Sequence, residues 1–163
     1  MANTQGMCQS FMGDLLNGLH AFGASVIRAT TTKDTFNIAL MQAGTATPTN
    51  AQTTAYASTN EVTGTGYTAG GVAVTNATAP ATYGGAAGNT GANSATWSPS
   101  AAASWSGLTI TTSFDTALLY NATASGKNAV AAFTFTAQTI TAGTLTLTFP
   151  AAGSLAGLIQ LAS

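Results

Sequence analysis

The chain has 163 residues, 45% of them apolar and only 4% charged, with a formal net charge of -1. An ordinary soluble domain carries about 25% charged residues, so the polar surface here has to be built from Thr, Ser, Asn and Gln, and little self-repulsion opposes association. Three basic residues (Arg28, Lys33 and Lys127) cannot form a phosphate-binding track, which excludes nucleic acid as a partner. One cysteine, Cys8, excludes an intrachain disulfide framework.

The length suits one domain with a real core. Seven Phe, four Tyr and two Trp argue against a disordered Gly/Ala/Thr-rich chain. No apolar run approaches the roughly 18 residues of a membrane-crossing helix. No basic residue precedes the first apolar stretch, so neither a membrane partner nor export by the general secretory route is expected.

In chain order, residues 7–22 carry the only helical period. Cys8, Phe11, Met12, Leu15, Leu16 and Leu19 recur at i, i+3 and i+4 spacings, which predicts one short helix capping a sheet. Asn17-Gly18 weakens its end, and Gly23 is expected to close it. Phe36, Ile38 and Leu40 alternate with Asn37 and Ala39 as a half-buried strand. Gly44 to Thr54 is a polar loop around Pro48. It is followed by the stretch Asn60 to Gly71, where Gly64, Gly66, Gly70 and Gly71 stand among Val62 and Tyr67. That pattern predicts strand, sharp bend, strand.

Gly71 to Thr75 makes another strand, and residues 76–96 are expected to be a long flexible loop or arm. Ser104 to Thr111 is a strand with a bulge at Gly107. Ala117 to Asn121 and Ala129 to Phe135 flank a hairpin loop. Leu145, Leu147 and Phe149 alternate with Thr144, Thr146 and Thr148, and Leu158, Ile159 and Leu161 form a last strand. About eight short strands separated by turn residues indicate an all-β, antiparallel β-sandwich of jelly-roll-like form, with one N-terminal helix, in a single domain over 1–163.

Residues that could do chemistry are few. Asp14, Asp34, Glu61 and Asp115 show no paired spacing of the kind a glycosidase uses, and they fit turns and caps. Cys8 and His20 lie about 18 Å apart on a continuous helix, too far for a thiol–imidazole pair. Together they offer too few ligands for zinc. Gly64-Thr65-Gly66 lacks the Lys-Ser/Thr of a phosphate loop. The sequons at Asn76 and Asn121 arise easily in a Thr-rich chain. Trp97 and Trp105 suit core anchors, with sugar stacking as the alternative. No cofactor, metal or enzyme activity is expected.

Three stretches carry a resemblance. They are Gly13-Asp14-Leu15-Leu16-Asn17-Gly18-Leu19-His20-Ala21-Phe22-Gly23 with Asp34 to Leu40, Thr54-Ala55-Tyr56 through Gly71, and Leu145 to Ala152. Together the chain resembles small virion structural proteins of tailed bacteriophages, some of which are capsid cement or decoration proteins with a jelly-roll-like sandwich. The resemblance implies a location in the virion, assembled in the host cytoplasm. The implied partners are the major capsid protein and further copies of the chain, as a dimer or trimer. On this basis the N-terminal segment 1–11 and the 76–96 loop are expected to carry the contacts, with Met7, Phe11, Tyr83 and Trp97 as candidates. Two rivals are a tail adhesin presenting Tyr67, Tyr83 and Trp97 to host glycans, and a cell-wall hydrolase.

Overall fold

The computed structural model describes residues 2–16, 18–22, 33–76, 80–83, 94–151 and 157–162. The chain is all-β and antiparallel. Its first elements are β1 (Gly6–Met7), α1 (Gln9–Leu16), β2 (Phe36–Gln42) and β3 (Val72–Val74). They are followed by β4 (Ala81–Tyr83), β5 (Ser94–Trp97), β6 (Ala103–Asn121), β7 (Ala129–Leu147) and β8 (Ile159–Ala162). One sheet has the order β1-β7-β6-β2-β3 and the other β4-β5-β8.

The dominant feature is the β6–β7 hairpin, two strands of 19 residues each. Its register runs from Tyr120 opposite Ala129 beside the turn to Ala103 opposite Leu147 at the open end. The sequence pattern breaks each of these strands in two. In the structure Thr111, Thr112 and Thr116, and Thr134, Thr136 and Thr139, carry the chain straight through, because β-branched residues fit the pleat. The bulge expected at Gly107 is present, and Ala142 marks a second one. Gly107 takes φ 65 and Ala142 takes φ 48, and the register shifts between Trp105 and Leu108 and between Leu108 and Ile110.

Helix α1 is shorter than the 7–22 stretch. Gly18 sits at φ 68, Leu19 N–H donates to the Asp14 carbonyl at 2.9 Å, and Gly18 N–H donates to the Leu15 carbonyl at 3.0 Å. This paired closure needs a left-handed residue just past the last turn, where Gly carries no steric penalty. The helix therefore ends at Leu16, seven positions before Gly23, which lies outside the described residues. Leu19 to Phe22 then run as irregular chain, and Phe22 stacks on Phe36 at 4.5 Å.

The core centres on Phe36, Ile38 and Leu40 of β2, Leu108, Ile110, Phe114, Leu118 and Leu119 of β6, and Val130 of β7. Each is fully or almost fully buried, which contributes about 1.5–3 kcal/mol per side chain against exposure. Trp97 on β5 lies 5.6 Å from Phe36 on β2, so aromatic rings join the two sheets.

The glycine-rich stretch 60–71 seals the edge of the large sheet. Glu61 bridges to Met41 on β2, and Thr65 bridges to Thr109 on β6. Because β2 ends at Gln42, this segment takes its place beside the outer half of β6. Gly71, at φ 71, presses against β2 so closely that a Cβ there would lie 1.9 Å from the Ile38 carbonyl oxygen.

Within 76–96 the structure places β4 and β5. Residues 77–79 and 84–93, where the rest of the expected loop falls, lie outside the described residues.

Candidate functional site

Among the few charged groups, the acids Asp34 and Glu61 are buried in separate structural networks. Glu61 is 4% exposed. Its Oε1 accepts the Tyr67 hydroxyl and the Gly70 amide, both at 2.7 Å. Its Oε2 accepts the Tyr56 hydroxyl at 2.5 Å. The Tyr67 oxygen in turn accepts the Leu40 amide at 2.9 Å, and Tyr120 donates to the Gly70 carbonyl at 2.9 Å. Tyr56 stacks on Tyr120 at 4.4 Å, with Lys127 Nζ 5.2 Å from the Tyr56 ring centre.

A buried carboxylate is tolerated when hydrogen bonds replace its lost water. Three strong donors do that here. Burial, and then the hydrogen bond to Glu61, hold the Tyr56 and Tyr67 hydroxyls well above the usual phenol range. Burial raises Tyr120 as well, against the opposing effect of Asn37.

Asp34 anchors the second network. Its Oδ2 accepts the Ala21 amide at 2.7 Å and the Asn121 side-chain amide at 2.8 Å. The same Asn121 nitrogen lies 3.1 Å from His20 Nδ1. Its oxygen accepts the amides of Thr123 and Ala124, which holds the β6–β7 turn. Asn76 donates to the Ala21 and Asp34 carbonyls at 3.1 and 2.9 Å. Asp14 receives Asn128 at 3.0 Å and lies 3.6 Å from His20 Nε2. The expected turn role of Asp34 is thus a buried anchor that ties residue 21 to β6.

Asp115, also expected at a turn edge, stands inside β6. It accepts Asn3 at 2.6 Å and Thr116 at 2.8 Å. Cys8 is fully buried, and burial pushes its thiol up to about 11, so it is protonated and unreactive at neutral pH. Among the described residues no group of three or more His, Cys, Asp or Glu could hold a metal ion.

A cleft of about 530 Å³ opens over Met41 and Leu118, walled by Thr47, Pro48, Asn50, Thr54 and Asn60. Its polar side chains carry only hydroxyls and amides, which hydrogen-bond but do not transfer protons near neutral pH.

The four candidate contact residues separate. Phe11 is fully buried and Trp97 is 4% exposed. Phe11 packs 5.0 Å from His20, and Trp97 packs 4.6 Å from Phe22. Both rings serve the core, because the aromatic cluster around Phe36 encloses them. Met7 on β1 is half-buried. Tyr83 is on β4, and its side chain lies outside the described residues. Tyr67, offered as a glycan platform, is tied through its hydroxyl to Glu61 and Leu40.

Sequence reasoning missed the roles of Tyr56 and Tyr120, and of Asn76 and Asn121, which it read only as sequons. Two asparagines inside or beside strands were the available signal, since Asn is depleted there unless its side chain is used.

Part of the β6–β7 ribbon is exposed, above all β7 from Thr136 onward. Among its 38 strand positions, 19 in each strand, Asp115 is the sole charge. From Thr136 onward β7 shows Thr136, Thr139, Thr141, Thr144 and Thr146 to solvent. Comparison of the chain with protein-family models, with curated proteins and with solved structures finds no match.

Proposed function

We propose that this chain is a non-enzymatic structural subunit of a virion, a cement protein that binds the outer capsid lattice and stabilises the head. Its partners are the major capsid protein and further copies of itself. The β6–β7 ribbon carries this proposal: two long strands with a Thr-rich, almost uncharged exposed surface. Such a surface can be covered by a neighbour with little cost in charge desolvation. Many weak contacts of this kind, repeated over a lattice, add up to firm attachment.

The burial of Asp34 and Glu61 in structural networks supports the same conclusion, since their hydrogen-bonding capacity is spent inside the fold. The packing of Trp97 on Phe36 between the sheets supports a β-sandwich, and the jelly-roll-like form belongs to this proposal too. The resemblance of residues 13–23, 34–40, 54–71 and 145–152 to phage virion proteins supplies the biological setting.

The test is re-addition of the purified chain to capsids that lack it. Co-sedimentation with the particles and a raised temperature of capsid disruption are expected. Failure to sediment with the capsids, together with binding to host glycans, would move the protein to the tail.

A further inference from the structure

Among the described residues the outer edge of β7 is open. Along it β1 pairs only at Ala131 and Ala132, and from Phe133 to Leu147 no strand lies against that edge among the described residues. An open edge of 15 residues is about 50 Å of unpaired backbone donors and acceptors. Natural edges of this length are protected by charges, by Pro or by bulges. Here no charged residue occurs anywhere in 128–163, and the devices on the edge among the described residues are two irregularities, the bulge at Ala142 and Gly143 and a register shift between Thr134 and Gln138.

The side chains on this edge are arranged symmetrically about Ile140. Thr139 and Thr141 are equidistant from it, as are Thr136 and Thr144, and Thr134 and Thr146. Phe135 matches Leu145, and Phe133 matches Leu147. The remaining pairs are Gln138 with Ala142 and Ala137 with Gly143. Phe133, Phe135, Ile140, Leu145 and Leu147 are all half-buried against the core, so each leaves apolar surface at the same edge.

We propose that β7 pairs antiparallel with β7 of a second copy of this chain, on a two-fold axis through Ile140. In such a pairing, residue 140−k of one copy lies opposite residue 140+k of the other. Thr then meets Thr three times on each side of the axis, and Phe meets Leu twice, both favourable cross-strand combinations. The half-exposed apolar row becomes continuous across the two sheets. The bulge at Ala142, whose amide already donates to the Thr109 hydroxyl at 3.1 Å, falls opposite Gln138. A two-fold pattern is needed only by a partner with the same sequence, so a second copy fits this edge better than any unrelated strand. The dimer stands independently of capsid binding.

Analytical ultracentrifugation of the full chain tests it. The expected mass is twice 16.1 kDa. Thr136 and Thr144 are exposed, so substitution there leaves the fold intact, as circular dichroism will verify. Thr136→Lys is expected to weaken the dimer about tenfold or more by burying an ammonium against a neutral hydroxyl. Thr136→Lys combined with Thr144→Glu places opposite charges across each pair and restores the dimer, whereas Thr136→Lys with Thr144→Lys does not. A monomeric wild-type chain overturns the proposal. So does a dimer indifferent to Thr136→Lys, and so does a Lys/Glu double variant no better than the single one. Amide hydrogen exchange gives the same test without substitution: protection over 133–147 rises with protein concentration, and protection that stays constant overturns the pairing.

Discussion

The carboxylate of Glu61 and the hydroxyl of Tyr67 are 2.7 Å apart in the buried wall beside β2. The same oxygen also receives the Gly70 amide at 2.7 Å. One side chain thereby closes the glycine-rich stretch onto itself and, through Tyr67 and the Leu40 amide, onto the sheet. Glu61→Gln removes an acceptor and sets an amide N–H against a donor. It is expected to cost about 2–3 kcal/mol. Glu61→Ala leaves three buried donors unpaired and is expected to cost about 3–5 kcal/mol, by analogy with breaking a buried charged pair. Thermal denaturation measures both, at about 2–4 °C per kcal/mol for a domain of this size. An unchanged midpoint for Glu61→Ala would show that the network does not hold the segment.

Gly71 and Gly44 share a left-handed backbone, at φ 71 and φ 68, but differ in their surroundings. A Cβ at Gly44 meets nothing within 4 Å, whereas one at Gly71 collides with the Ile38 carbonyl. Gly44→Ala is expected to cost about 1 kcal/mol from the backbone alone. Gly71→Ala has to push the 60–71 segment off β2 and is expected to cost several times more. Equal losses of stability in the two variants would mean that the close approach at Gly71 relaxes freely.

Tyr56, Tyr67 and Tyr120 all have hydroxyls raised above the ordinary phenol value. The folded state therefore holds these protons more tightly than the unfolded state does. Stability from this source is complete below the unfolded value of about 10 and is lost as pH rises beyond it. Urea midpoints should stay level through neutral pH and fall from about pH 10 upward. Tyr67→Phe should be less stable at neutral pH and show a shallower alkaline fall. A wild-type midpoint that is flat above pH 10 would contradict the protonated network.

Much of the fold was legible because it depends on local alternation. The Phe36, Ile38, Leu40 pattern became β2, and the Leu145, Leu147 alternation became the end of β7. The helix was overextended because Leu19 and Phe22 keep a helical spacing. Gly18 ends the helix, and Phe22 is used by stacking on Phe36 instead. Strand length was misjudged because residues 112–116 and the Ala142-Gly143 pair read as breaks between strands, while pairing across the hairpin carries the chain through both; the bulge expected at Gly107 is present. The buried networks were illegible. Asn121 and Asp34 are 87 positions apart, and no local pattern links them. Phe11 and Trp97 were offered as contacts because they lie in or beside the segments given that role, 1–11 and 76–96, and nothing in their own neighbourhoods shows the ring cluster that encloses them.

Asn121 is the residue on which the turn, Asp34 and His20 converge. Asn121→Ala leaves the Thr123 and Ala124 amides without their acceptor and removes one donor from Asp34. A loss of about 3 kcal/mol is expected from these unpaired groups, read by urea denaturation. A loss below about 1 kcal/mol, the size of one ordinary hydrogen bond, would mean that water replaces the side chain.

Copy number per virion tests the central claim most directly, by quantitative mass spectrometry of purified particles against the major capsid protein. A ratio of one copy per capsid subunit, or a simple fraction set by the lattice, is the expected result for a cement protein. A handful of copies per particle, or none, would contradict it.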